Sequence, residues 1–225
     1  MRNCFDDYFV QICSGNSSSN LEFVKKEVKN LFHNKDEKWR CGAISEFFIH
    51  LYLNNVGFKQ EFLYLNMEEG SIKKGFDGYY SLNNSEWIME SKSGSHKKTH
   101  NDKIKEAYSD IKNKVSGNTP NNPWKNAYNH ACHCDVGTAE DIKKNIKSLS
   151  DSFINKSFST IDQFNIIPCA TIFYHRGGIP RSEADIIKSV CNTKLQCNRL
   201  HVICVNQKSI DIFLEYINLS ELNNG

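Results

Sequence analysis

Asp77, Glu90 and Lys92 stand in one stretch, GFDGYYSLNNSEWIMESKS, whose other residues read mostly as core. The stretch divides into two short β-runs around Asn83-Asn84, and asparagine tolerates the positive φ that a two-residue hairpin turn demands. Side chains alternate along a strand, so Glu90 and Lys92 share a face. With the two asparagines as the turn, Leu82 pairs with Ser85 and Asp77 falls opposite Glu90. Opposed like charges destabilise a strand pair. A metal ion between them removes that cost, and Mg2+ is bound through one or two carboxylates plus waters and substrate phosphate. Gly75 then lies opposite Lys92 and leaves the ammonium room. Phosphodiester hydrolysis needs an activated water, neutralised phosphoryl oxygens and a stabilised leaving alkoxide. A carboxylate-bound metal serves these needs, and an ammonium on the same face pairs with the attacking hydroxide.

The register carries this reading. It sets Tyr80 against Trp87 and Gly78 against Met89 on the other face, so the hairpin is expected to have one packed face and one chemical face. A three-residue loop would instead place Asp77 against Ser91, since a one-residue slip moves a set of side chains across the sheet. The pattern acid-x-Lys also occurs at Glu27–Lys29, Asp36–Lys38, Asp110–Lys112 and Asp141–Lys143. Three of these lie on expected helices, where i and i+2 point apart, and Asp36–Lys38 lies in an expected charged loop. The bland alternative for the hairpin is an acidic face that points to water.

The elements around the hairpin follow from periodicity. Residues 3–13 suit a leading strand. SSSNLEFVKKEVKNLF reads as a helix capped near Asn20, with Leu21, Val24, Val28 and Leu31 on one side. After the loop HNKDEKWR, the segment GAISEFFIHLYLNNVG carries two apolar faces. Ile44, Phe47, Phe48 and Leu51 form one; Glu46, Ile49, His50 and Leu53 form the other, so this helix is expected to be buried on two sides. Gly57 stops it. KQEFLYLN is a strand candidate. THNDKIKEAYSDIKNKV and TAEDIKKNIKSLSDSFI are helices, separated by the loop SGNTPNNP. FNIIPCATIFYH and RLHVICVNQ are apolar enough to be inner strands, with a helix capped by Ser182 between them. The expected fold is α/β: a mixed central sheet flanked by helices, in one domain over 1–225. Residues 40–115 hold the motif region and 140–220 complete the sheet.

GFDG followed, after a hairpin, by WIMESK resembles the PD-(D/E)XK nuclease superfamily. The resemblance extends to a glutamate on the preceding helix, in ISEFF, and to a helix directly after the lysine. It covers roughly residues 40–115, and Phe76 stands where the family's name has proline. It implies a restriction-endonuclease-like core. Asp77 and Glu90 would be metal ligands for Mg2+ or Mn2+, with the Ser91 carbonyl as a third; Lys92 would act on the water, and Glu46 would complete the acidic site. More narrowly, Gly-x-Asp-Gly with Glu-x-Lys looks like the nuclease subunit of Hachiman anti-phage systems. That likeness implies DNA as substrate, with RNA left open, and a helicase-type partner.

Other features set bounds. The 225 residues carry a net charge of +2, so no global field selects a nucleic acid or a membrane. No apolar run reaches spanning length. Asp6 and Asp7 interrupt the N-terminal apolar stretch, which argues against a signal peptide. Nine cysteines, irregularly spaced, fit reduced thiols and a cytoplasmic setting. Lys97, Lys98 and Lys103 follow the motif and could track a phosphate backbone, or could simply be a solvated helix start. GSHKKT lacks P-loop spacing. Arg176 and Arg181, in HRGGIPRS, flank a helix N-terminus where anions bind, or form an ordinary basic loop. His130 to Cys134, HACHC, has no obvious second ligand pair beyond Cys191 and Cys197, so zinc is not expected and an exposed loop is the plainer reading. Glu46 could alternatively pair with His50 at i+4. Two rivals remain beside the nuclease: a non-catalytic binding module on the same fold, and a stand-alone sequence-specific restriction endonuclease.

Overall fold

A computed structural model describes residues 2–15, 19–65, 75–133, 136–174, 188 and 194–218. Its elements run α1 (Arg2–Ser14), α2 (Leu21–His33), α3 (Glu37–Asn55), β1 (Lys59–Gln60), β2 (Gly78–Leu82), β3 (Ser85–Ser95), α4 (His100–Val115), α5 (Pro123–Ala131), α6 (Glu140–Ile154), β4 (Asn165–Phe173), β5 (Arg199–Leu200), β6 (Ile203–Gln207) and α7 (Asp211–Tyr216). The sheet is six-stranded and mixed. β1, β2 and β3 are antiparallel neighbours, β4 runs parallel to β3, and β5 and β6 both pair in parallel with β4. Helices flank it, as the α/β reading requires.

The hairpin forms with the expected turn and register. Asn83 and Asn84 both take positive φ, 48° and 58°, the conformation a two-residue mirror-image turn needs. Leu82 pairs with Ser85, Tyr80 with Trp87 and Gly78 with Met89. The ladder ends there: Asp77 and Gly75 lie outside it, so the pairs Asp77–Glu90 and Gly75–Lys92 are not ladder pairs.

Nor is one face of the hairpin left to chemistry. Tyr80, Trp87 and Met89 pack with Ile167, Cys169 and, from α3, Ile49 and Leu53. Tyr79 and Ile88, on the other face, pack with Ile166, Ile111 and Val115 of α4, and Trp124 of α5. Two helical layers enclose the sheet, and a third apolar cluster ties α1, α2 and α7 to the outer side of α3. α3 is buried on both sides, as its two apolar faces dictate.

Several expected elements differ. Residues 3–13 are helical, not a strand: Phe9, Ile12 and Cys13 recur at helical spacing and are fully buried in the α1–α3 cluster. The loop HNKDEKWR ends early, because the Asp36 carboxylate accepts the Trp39 N–H at 2.7 Å and caps α3 one residue on. Only Lys59–Gln60 of KQEFLYLN joins the sheet. Phe62 to Leu65 are buried as irregular chain, with the Tyr64 N–H donating to the Ile12 carbonyl instead of to a neighbouring strand. RLHVICVNQ is no inner strand: it splits at His201-Val202 into β5 and β6, both on the far side of β4 from β3, and is mostly exposed or half-exposed. α5 was not expected; Asn122 caps it and Pro123 occupies its first turn. The expected helix capped by Ser182 lies outside the described residues, apart from Lys188.

Candidate functional site

The site forms where β3 outlasts β2. From Glu90 onward β3 keeps β4 beside it, Glu90 against Pro168 and Lys92 against Ala170, but loses its antiparallel neighbour. Gly75, at φ 85°, sits so close to Pro123 that an added Cβ would meet that residue's carbonyl oxygen at 2.7 Å. This tight turn delivers Asp77 to the open edge. There the Asp77 Oδ2 accepts the Ser91 N–H at 2.8 Å, replacing the ladder bond that β2 no longer supplies. Ser91, expected through its carbonyl, is thus seen holding Asp77 by its amide.

Glu90 is 2% exposed. Both its carboxylate oxygens are engaged by ammonium groups. Lys92 Nζ lies 3.1 Å from Oε1, and Lys114 Nζ lies 2.6 Å from Oε2. Lys92 has a second partner, Asp110 Oδ2 at 2.6 Å. The result is a string of alternating charge, Asp110–Lys92–Glu90–Lys114, with Asp77 close enough to feel it. Burial first, and then the Asp77 charge, push the Glu90 carboxyl up to about 7, against the pull of Lys114 and Lys92. Burial and the Glu46 charge raise Asp77 as well, opposed by the two lysines and the Ser91 N–H. Burial disfavours the Lys92 ammonium, but Glu90, Asp77 and Asp110 outweigh it and hold its pKa above the usual lysine range.

Glu46 reaches this cluster from α3. It is 4% exposed, and its charge is the largest influence on Asp77 after burial. It also pairs with His50, Oε1 to Nε2 at 3.4 Å, the alternative that the i+4 spacing offered. The other ring nitrogen of His50, Nδ1, meets the Tyr80 hydroxyl. Burial and the Cys169, Glu46 and Asp77 charges keep that hydroxyl well above its ordinary pKa, hence neutral. Glu46 is therefore held by a string that ends in the sheet's core.

Asp110 and Lys114 were missed by sequence reasoning, whereas the i+4 spacing had already set His50 beside Glu46. Asp110 and Lys114 are spaced i, i+4 on α4, one turn apart beside the inward Ile111 and Val115. That spacing was a legible signal, because a charge beside an inward stripe can fold back over the sheet. The competing pattern Asp110–Lys112 hid it.

The basic residues divide. Lys97 and Lys98 are exposed in the turn after β3. Lys98 and Lys103 line a groove of about 590 Å³ with Lys38, Ser93, Ser95 and Phe173, beyond the C-terminal end of β3. Gly94 lets Lys103 close over the strand: an added Cβ would meet Lys103 Cε at 2.8 Å. Lys103 is paired with Glu106 at 2.6 Å. Arg176 and Arg181 lie outside the described residues, as do Cys134 and Cys191. Of HACHC, Ala131 is buried at the end of α5, Cys132 and His133 are exposed, and the His130 ring packs on Phe62 at 5.8 Å. Among the described residues no three His, Cys, Asp or Glu side chains converge as a metal cluster, and no helix is long and apolar enough to cross a membrane.

Fold and site together define a mixed α/β protein with a buried acid–lysine cluster midway along an inner strand, β3, where the β2 ladder ends. A family model described as HamA matches residues 6–218, so the chain belongs to the HamA family. That family is associated with Hachiman anti-phage defence, a system that works with a helicase partner. No curated protein and no solved structure matches the chain.

Proposed function

We propose that this chain is a metal-dependent nuclease of a Hachiman-type defence system, with a PD-(D/E)XK-like site, hydrolysing phosphodiester bonds in DNA with Mg2+ or Mn2+ and acting beside a helicase-type partner in the cytoplasm. The observation that carries this reading is Glu90, a buried carboxylate with Asp77 beside it and Lys92 two residues along the same strand. A fold does not bury mutually repelling carboxylates cheaply. The donor set fits a hard divalent cation: oxygen ligands from one or two carboxylates, with room in the coordination shell for water and phosphate. Asp77 and Glu90 would hold the ion, the Ser91 carbonyl remains a candidate ligand, and Glu46 adds negative charge from α3. The ion would supply Lewis acidity towards the phosphoryl oxygens and lower the pKa of a bound water.

The chain's own groups do the rest. Lys92, fixed between Glu90 and Asp110, offers an ammonium that orients the attacking water and pairs with the hydroxide formed from it. Lys98 and Lys103 border the groove beyond β3, Lys97 is exposed in the turn beside them, and all three suit a phosphate backbone approaching the site; Arg176 and Arg181 are further candidates. The test is incubation of the purified chain, alone and with its helicase partner, with plasmid, linear and single-stranded DNA and with RNA, in Mg2+, Mn2+ or EDTA. Metal-dependent cleavage lost in Asp77→Asn supports the reading. DNA binding without cleavage under every condition, partner included, would leave a binding module.

A further inference from the structure

The two lysines on Glu90 are held unequally, and the inequality has a consequence for how a metal enters. Lys92 is clasped between two carboxylates, Glu90 and Asp110. Lys114 has Glu90 as its ion-pair partner among the described residues, in the shorter of the two contacts, 2.6 Å against 3.1 Å. Its Nζ also lies 5.7 Å from the centre of the Phe76 ring. Lys114 also stands in the last turn of α4, where the exposed carbonyl end of the helix receives a cation favourably. Its side chain is 21% exposed and that of Lys92 27%, so both ammonium groups have a path to water, and the second carboxylate on Lys92 is what separates them.

Resting on the nuclease reading, we propose that Lys114 is a built-in counter-ion which occupies one Glu90 oxygen in the metal-free protein and is displaced by the divalent ion, so that it sets the metal affinity of the site. A buried carboxylate without a cation is costly, and the ammonium supplies one until the metal arrives. With Asp77 and Glu90 holding a divalent ion, Lys114 would give up Oε2, while Lys92 would keep Asp110. Of the two lysines, Lys114 is thus the exchangeable one and Lys92 the fixed one. Lys114 is a positioning residue for the site's carboxylate, acting through Glu90.

The experiment is Mn2+ titration by calorimetry of the full chain and of Lys114→Gln, with Lys112→Gln as the control for loss of one exposed charge on the same turn and Asp77→Asn as the control for a ligand. Melting temperatures are taken in EDTA and in saturating Mn2+. Lys114→Gln should bind Mn2+ about tenfold tighter or more, because the ion no longer competes with an ammonium. It should melt lower in EDTA and regain most of the loss in Mn2+. Lys112→Gln should match the wild type in all three measurements. Equal or weaker Mn2+ binding in Lys114→Gln, beside a wild type that binds and an Asp77→Asn that does not, overturns the counter-ion role alone. Failure of the wild type to bind Mn2+ overturns the metal reading and this inference together. Should Lys114→Gln fold poorly, Lys114→Met, which keeps the aliphatic stem over Phe76, takes its place under the same criteria.

Discussion

Glu90→Gln probes the electrostatic cost of the site directly. The carboxyl moves from an ordinary 4.5 to about 7 on folding. At ~1.36 kcal/mol per unit, this amounts to about 3 kcal/mol, an order-of-magnitude figure for a coupled buried group. Because the folded pKa is raised, the folded state holds the proton more tightly than the unfolded chain. The stabilising contribution is fully present below pH 4.5, and is lost as pH rises through 7. Glutamine keeps the shape of the neutral acid and cannot ionise. It also changes the hydrogen bonds to Lys92 and Lys114, but that offset does not vary with pH. The assay is urea and thermal unfolding of both proteins in EDTA between about pH 5 and about pH 8.5. The stability difference should shift in favour of Glu90→Gln by most of the 3 kcal/mol, or roughly 6–12 °C in melting temperature for a chain of this size. Titrations common to both proteins cancel in the difference. A flat difference across this range would refute the claim that Glu90 is forced into the fold against its ionisation.

Lys92→Ala should abolish metal-dependent cleavage of plasmid DNA while leaving the circular-dichroism spectrum unchanged. It should lower stability by no more than about 1 kcal/mol, because Glu90 retains Lys114 and Asp110, 43% exposed, is left to water; full cleavage by the folded variant would remove Lys92 from the mechanism. Gly75→Ala should cost at least about 2 kcal/mol, since φ is 85° and the new Cβ would strike the Pro123 backbone. Divalent-ion binding should weaken with it, as the same turn delivers Asp77; unfolding midpoints and calorimetry check both. Lys98→Gln with Lys103→Gln should lower the slope of log DNA affinity against log salt by about 1 for each phosphate no longer neutralised, measured in EDTA by fluorescence anisotropy. An unchanged slope would place the DNA path elsewhere.

The hairpin was legible because its determinants are local. Two asparagines set the turn, the turn sets the register, and the register follows from a side-chain period of two. Helix α4 was equally plain, with Thr99 and Asp102 forming a reciprocal cap and Ile104, Ala107, Ile111 and Val115 on one stripe. α3 announced by its two apolar stripes that it would be buried on both sides, and so that Glu46 would be brought inside.

Tertiary structure decided how the charges meet. Lys114 reaches Glu90 across 24 positions of sequence, and only the packing of α4 on the sheet makes that pair; no local pattern weighs it against Lys92. Where the β2 ladder stops was also undecided locally, because Asp77 can either continue a ladder or use its carboxylate to take the Ser91 N–H, and the Gly75 approach to Pro123 chose the second. Residues 3–13 show the same limit in the core. Their apolar positions suit either a strand or a helix when read alone, and only the presence of α3 and α7, which offer a groove for Phe9 and Ile12, resolves the period to 3.6.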